Sequence, residues 1–318
     1  MKPRVTVIGC GYWGKNLVRN FADLGALASV VDAIPTVADG LAKTFNVKSM
    51  SVQEALADTT ISGVAIAAPA ELHADLARKA FAAGKHVFVE KPISLTVADA
   101  ESMKLAGEQA GKSLMVGHLL RYHPAFEALL ATVQSGKLGA LRYAYSHRLS
   151  LGKFRVEENA LWSFAPHDVS MLLALFGAEP ISQSGGGGAF VTKGIDDEYR
   201  LDMQFAEGRR AHVFVSWLHP FKEHRLVVVG EKAMAVFEDS AAKSEEKLRL
   251  YRHAIDMSGG APKPKKGEAE PIPYENDEPL KRECRHFLEV CSGRHGPRTD
   301  AAEAIRVLRV LTGATPRA

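Results

Sequence analysis

Short, wholly apolar runs alternate with amphipathic stretches over the first 120 residues. Val5–Ile8, Ala28–Val31, Gly63–Ala67, His86–Val89 and Ser113–Val116 lack the alternation of a half-exposed strand. They read as strands buried on both faces of a parallel sheet. Between them, Leu17, Val18, Phe21 and Leu24 share a helical face that stops at Gly25. Leu72, Leu76, Ala80 and Phe81 share another, stopped by Gly84, and Val97, Met103 and Leu105 a third, stopped by Gly111. These stripes have helical spacing, and glycine is the usual residue past a helix end. Strand–helix alternation predicts right-handed crossovers and a doubly wound α/β domain over residues 1–120.

Beyond residue 120 the rhythm changes. A helix is expected at Ala125–Ser135, a partly alternating strand at Leu141–Leu149, and a compact apolar helix at Val169–Phe176 before Gly177. Strand patterns at Glu198–Phe205, Ala211–Trp217, Leu226–Gly230 and Met234–Glu238 follow one another across short turns. This predicts an open, mostly antiparallel sheet in an α+β domain over 121–318. Met257–Pro273, rich in Gly, Pro and Lys, reads as an exposed loop. Helices close the chain, one over Pro279–Ser292 and one from Asp300, where Glu303 has capping-box spacing. Ala211, Val213, Val215 and Trp217 fall on one side of their strand; His212, Phe214 and Ser216 fall on the other. A sheet buries its faces against something, so a homodimer or homotetramer through the second domain's sheet is expected.

Composition narrows the class. At about 150 residues per domain, 318 residues suit two domains. Hydrophobic residues at 46% and charged residues at 24% exclude a disordered chain, and 27 Gly with 15 Pro exclude a collagen-like one. A net charge of +3 is too small for general nucleic-acid affinity, and no aromatic and basic residues interleave. Three Cys form no disulfide framework, which points to a reducing, cytoplasmic home. No apolar run approaches the roughly 18 residues of a membrane span. Arg4–Ile8 already reads as a strand, leaving no room for a signal peptide. No Cys/His pair has zinc spacing, so no metal is expected.

Gly9-Cys10-Gly11-Tyr12-Trp13-Gly14 is a G-x-G-x-x-G run between the first strand and first helix. In such a Rossmann turn the first glycine turns the chain, the second admits a pyrophosphate, and the third lets helix pack on strand. Asp32 ends the second strand 18 residues after Gly14, and Ala33, Ile34 and Pro35 follow with no Arg or Lys. A carboxylate there bonds a ribose diol and repels a 2′-phosphate, so NAD is expected over NADP.

Glu90-Lys91-Pro92 follows the strand Val87-Phe88-Val89, at a carboxyl end where open α/β sheets bind ligands. Together with the glycine run, it resembles the glucose–fructose oxidoreductase/inositol dehydrogenase/rhizopine catabolism family of NAD(P)-dependent sugar oxidoreductases. Ala68-Pro69-Ala70-Glu71-Leu72-His73, Gly117–Phe126 and Glu283–Asp300 resemble further family segments. The resemblance implies a cofactor site of Gly9, Gly11, Tyr12, Trp13, Gly14, Asp32, Pro69, His73, Glu90 and Lys91. It implies that Lys91 and a histidine near a helix N-terminus, matched by His167 with Gly177 ten residues on, serve the reacting hydroxyl in the crevice between the domains. Where many members carry Asp four residues before that histidine, this chain has Ser163. The chemistry suits the residues: an imidazole titrating near pH 6.5 can take the hydroxyl proton while hydride leaves carbon, and a lysine can hold the same oxygen.

For the substrate, Ala128–Val156 carries Lys137, Arg142, Arg148, Lys153 and Arg155 and no acid. Such a stretch suits a diphosphate or a solvated strand face. The segment Arg155–Asp168 resembles members that make 3-keto nucleotide sugars. His118, Arg121, Tyr122, Arg148, Arg155, Trp162, Ser163 and Asp168 are the candidate substrate residues. The expected substrate is a small-molecule sugar, nucleotide-linked, such as UDP-N-acetylglucosamine or its uronic acid, oxidised at C3. An inositol or free-sugar dehydrogenase, and a non-catalytic NAD-binding regulator, are the alternatives.

Overall fold

The computed structural model describes residues 2–315. Its first part alternates strand and helix: β1 (Val5–Ile8), α1 (Gly14–Asp23), β2 (Leu27–Val31), α2 (Pro35–Phe45), β3 (Lys48–Ser49), α3 (Val52–Ala57), β4 (Gly63–Ile66), α4 (His73–Ala82), β5 (His86–Val89), α5 (Val97–Gln109) and β6 (Leu114–Val116). The strands form one parallel sheet in the order β3-β2-β1-β4-β5-β6. Every residue of β1 and β4 is buried, as all-apolar runs demand. The strand order reverses between β1 and β4, the switch point where such sheets open a ligand crevice.

Leu17, Val18 and Phe21 of α1 pack on Val5, Val7 and Val30. Burying each such side chain contributes about 1.5–3 kcal/mol. The helix Pro279–Cys291 joins the same core. Phe287 lies edge-on to Phe21 at 6.2 Å and tilted on Phe88 at 5.8 Å, with Leu280 and Cys284 alongside. Asp277–Leu308 therefore belongs with the chain up to Tyr122 in one compact unit. The sequence had placed these residues in the second domain. The correction follows from the stripe Leu280–Cys284–Phe287, which buries its apolar face against α1 and β5.

The second unit holds His123–Asn276 and the chain from Arg309. Its elements are α6 (Pro124–Gln134), β7 (Leu141–Leu151), α7 (Ala160–Phe176), β8 (Ser182–Gly188), β9 (Glu198–Gln204), β10 (Arg210–Ser216), β11 (Leu218–Gly230), β12 (Met234–Glu238), β13 (Leu248–Tyr251), β14 (Ala254–Asp256), β15 (Lys263–Lys265) and β16 (Ala269–Pro271). Eight strands form a sheet in the order β16-β13-β12-β11-β7-β10-β9-β8. All pairs are antiparallel except β10 with β7. α7 covers the side carrying Ala211, Val213 and Val215, all buried. On the other side Tyr145 stacks on His212 at 5.2 Å. The stretch expected as loop, Met257–Pro273, contains β15 and β16, and β8 was not foreseen.

Candidate active site

The glycine turn is built for close approach. Gly9 has φ +87°, and a Cβ there would lie 2.6 Å from the Ala68 backbone nitrogen. A Cβ on Gly14 would lie 1.8 Å from the Gly9 carbonyl oxygen, so only glycine lets α1 start this close to the turn. Around Gly11, by contrast, a Cβ would meet nothing within 4 Å. No side chain caps the start of α1. At the end of β2 the Asp32 carboxylate accepts the Cys10 N–H at 2.6 Å and the Ile34 N–H at 2.9 Å. Burial, and then the Asp32 charge, push the Cys10 thiol up to about 11, so it stays a thiol.

Tyr12 is exposed on the turn, with Lys15 Nζ 5.3 Å from its ring centre. Trp13, on the glycine turn, donates its indole N–H to Glu90 Oε1, just past β5, at 2.5 Å. Glu90 also accepts the Lys91 N–H at 3.3 Å. Burial raises the Glu90 carboxyl to about 7, against the opposing pull of Trp13 and Lys91. Lys91 is half-buried and precedes Pro92 through a cis peptide bond. Pro69 opens the short turn Ala70–Leu72 after β4. His73 is fully buried, with Nε2 2.8 Å from the Ala68 carbonyl and Nδ1 2.9 Å from the Pro92 carbonyl. Its ring ties the loop after β4 to the loop carrying Lys91, a bracing part in place of the expected cofactor contact.

Three expected substrate residues sit in buried pairings of the first unit. His118 Nδ1 lies 2.7 Å from Glu303 Oε2, and Arg121 Nη1 lies 3.6 Å from Glu303 Oε1. Tyr122 is buried, and its hydroxyl pairs with Thr299 Oγ1 at 3.0 Å under the Arg298 guanidinium. Tyr122 is thus a core residue. The sequence offered no sign of Thr299 as its partner. In the sequence Glu303 stands out only by its capping spacing, which the structure keeps: its N–H bonds Asp300 Oδ1 at 2.8 Å.

In the second unit, Asn159 Oδ1 accepts the Trp162 N–H at 3.2 Å and starts α7 nine residues earlier than the expected Val169. The helix runs through Pro166 and stops at Gly177, φ 60°. His167 therefore lies mid-helix, half-buried, one turn after the buried Ser163. Trp162 is half-buried on the first turn. Asp168 is fully buried. Its carboxylate accepts from Ser146 Oγ at 2.6 Å and from Arg148 Nε and Nη2 at 2.7 and 3.1 Å. Neither Arg148 nor Asp168 thus offers a substrate group. A diphosphate would have to break a two-point ion pair to reach that guanidinium. The acid-free stretch is opposed from elsewhere in the chain: Arg142 meets Glu231 at 3.4 Å, and Arg155 meets Glu158 at 3.1 Å and Glu157 at 3.7 Å. Among the described residues no group of three metal-ligating side chains occurs, and no helix is long and apolar enough to cross a membrane.

Residues 3–118 match the model of the Gfo/Idh/MocA oxidoreductase family, NAD-binding Rossmann fold, and residues 126–236 match the Gfo/Idh/MocA C-terminal domain. The chain belongs to this family. It is 32% identical to the UDP-N-acetylglucosamine 3-dehydrogenase of Acidithiobacillus ferrooxidans over 61% of this chain and 60% of that protein. It is 30% identical to the inositol 2-dehydrogenase of Rhizobium meliloti over 77% of this chain and 78% of that protein. The fold superimposes on a solved structure of the Acidithiobacillus enzyme with a TM-score of 0.86 at 25% identity, covering 98% and 96% of the two chains.

NAD is the cofactor of this Rossmann domain, and the site fits it. The space at Gly11, which a Cβ would fill, suits a pyrophosphate at the start of a helix. Asp32, held by two backbone amides, keeps acceptor capacity for a ribose diol. Asp32→Ala is expected to weaken NAD binding about tenfold and to relax discrimination against NADP, the loss of a charge-assisted bond. Titration calorimetry checks both; tighter binding of NADP than NAD by the native protein would contradict the part given to Asp32.

Proposed function

We propose that this chain oxidises a secondary hydroxyl, at C3, of a nucleotide-linked amino sugar such as UDP-N-acetylglucosamine or its uronic acid. The observation that carries this reading is the joint likeness, in sequence and over nearly the whole fold, to a UDP-N-acetylglucosamine 3-dehydrogenase. Bound NAD would accept the hydride. Lys91 holds the substrate oxygen at the end of β5 and favours the charge that develops on it. His167 takes the hydroxyl proton as general base, and Ser163, one turn away, stands where an acidic partner would orient the ring. Once Arg148 is set aside, the anion contacts we infer are Lys153 and Arg155 on the loop between β7 and α7, Arg155 by exchanging its solvent-reachable pairs with Glu157 and Glu158 for the diphosphate.

A second reading, an inositol dehydrogenase, is favoured by the more extensive match to the Rhizobium enzyme. NADH formation is to be followed with UDP-N-acetylglucosamine, its uronic acid, myo-inositol and free N-acetylglucosamine. The nucleotide sugars are expected to have the highest kcat/KM. Equal turnover of the free and nucleotide-linked sugar would overturn the proposal, turnover of inositol alone would install the second reading, and no turnover of any would leave a binding protein. Arg155→Glu is expected to raise KM for the nucleotide sugar about tenfold with kcat little changed, the pattern of lost uniform binding.

A further inference from the structure

One carboxylate joins the glycine turn to Lys91. Trp13 stands between the second and third glycines, and its indole N–H bonds Glu90 Oε1 at 2.5 Å. The other oxygen of the same group, Oε2, accepts the Lys91 backbone N–H at 3.3 Å. Neither end of this link has slack. Trp13 precedes Gly14, where a Cβ would lie 1.8 Å from the Gly9 carbonyl oxygen, and its own carbonyl accepts the Asn16 N–H at 2.8 Å. The Glu90 backbone N–H bonds the Ile66 carbonyl at 2.9 Å, and Gly117 leaves the carboxylate just enough room: a Cβ there would come within 2.8 Å of Oε2. Glu90 is buried, whereas Trp13 is 38% exposed, so the ring is aimed more by its bond than by packing. Without that donor a buried carboxylate is short of a partner, and it turns to find another. Any such turn pulls on the Lys91 N–H bonded to its other oxygen.

We propose that Trp13 is a positioning residue of the oxidation: through the Glu90 carboxylate it sets where Lys91 stands, so that the turn suited to the NAD pyrophosphate also places the lysine that serves the hydroxyl. An indole fits the task, because its N–H donates, never accepts, and does not titrate in the working range. His73 braces the far side of the same loop, with Nδ1 2.9 Å from the Pro92 carbonyl, and Trp13 braces the Glu90 side. A misplacement of about 1 Å can cost about 10²-fold in rate, so one bond between two loops is enough to matter. This part for Trp13 rests on the part given to Lys91 under the proposed function, and on no particular sugar.

The test is a cycle of Trp13→Phe and Lys91→Met in the full-length chain, read as kcat for NADH formation and as NADH affinity from the fluorescence of the bound nicotinamide. Phe keeps a ring on the turn and removes the donor. Trp13→Phe is expected to lower kcat about tenfold while NADH affinity changes less than about threefold, a split that general damage to the fold would not give. In the Lys91→Met background the same change should cost less than about twofold, because its route to the reaction is gone. A second tenfold loss there, or an NADH affinity that falls as far as kcat, overturns the proposal and leaves the part of Lys91 standing. A native rate in Lys91→Met alone removes the part of Lys91, and that of Trp13 with it. One measurement needs neither activity nor a variant, and it decides should Trp13→Phe not fold. The Trp13 indole proton, assigned by NMR in the native chain, should exchange with solvent far more slowly than that of a free indole. Exchange at the free rate means that the bond to Glu90 is not kept, and overturns the proposal.

Discussion

Replacing Lys91 by Met is expected to lower kcat for alcohol oxidation by on the order of 10²-fold or more while NAD affinity is retained. Lys91 lies two residues past the end of β5 and its backbone N–H is held by the Glu90 carboxylate, so the substitution removes an ammonium without touching the glycine turn or Asp32. His167→Asn is expected to cost less. With Ser163 in place of an acidic partner, nothing of opposite charge one turn away strengthens the imidazole as a base. The native rate of oxidation should decline at acidic pH, because a protonated ring accepts nothing. Stopped-flow NADH formation with the true substrate measures all of this. Near-native hydride transfer by Lys91→Met would remove the proposed mechanism, whatever the sugar.

The parts of the fold visible in the sequence are those whose signals are local. Val5–Ile8 and His86–Val89 coincide with β1 and β5 because an unbroken apolar run bounded by turn residues has few other uses. The β8 strand, Ser182–Gly188, has four successive glycines and no alternation; it exists because β9 lends it a full ladder. The helix α7 starts before the expected apolar run because Asn159 caps it and a wholly buried face carries it through Pro166. The helix Pro279–Cys291 was legible as a helix but not its unit, because its partners Phe21 and Phe88 stand 287 − 21 = 266 and 287 − 88 = 199 residues before Phe287. The candidate site divides the same way. The glycine spacing and Asp32 are self-contained motifs. His118, Tyr122 and Arg148 looked available because Glu303, Thr299 and Asp168, which occupy them, are 185, 177 and 20 residues away.

Asp168→Ala is expected to cost about 3–5 kcal/mol of stability, because it leaves the Arg148 charge buried with no partner. The carboxylate is fully buried and accepts three bonds, one from Ser146 and two from Arg148, which together pin α7 to β7. That loss is a large share of the roughly 5–15 kcal/mol that holds a domain folded, so the variant should unfold at much lower urea. The pair itself need not be worth so much. Joint replacement, Arg148→Met with Asp168→Leu, removes both desolvation costs and should be far milder than Asp168→Ala alone. A cycle of the two single variants and the double variant, by urea denaturation, measures the coupling. Additive effects would mean that the two groups do not act as a pair. A pH signature accompanies it. Burial, and then Arg148, hold the His224 imidazole down to about 4, and its Nδ1 lies 3.3 Å from Arg148 Nη1. Its pKa is lower folded than unfolded, so the unfolded chain binds more protons between about 6.5 and 4, and stability falls as pH drops through that window. Removing the Arg148 charge should flatten that part of the pH profile, since one of the three causes holding His224 neutral, after burial and beside Lys222, is then gone.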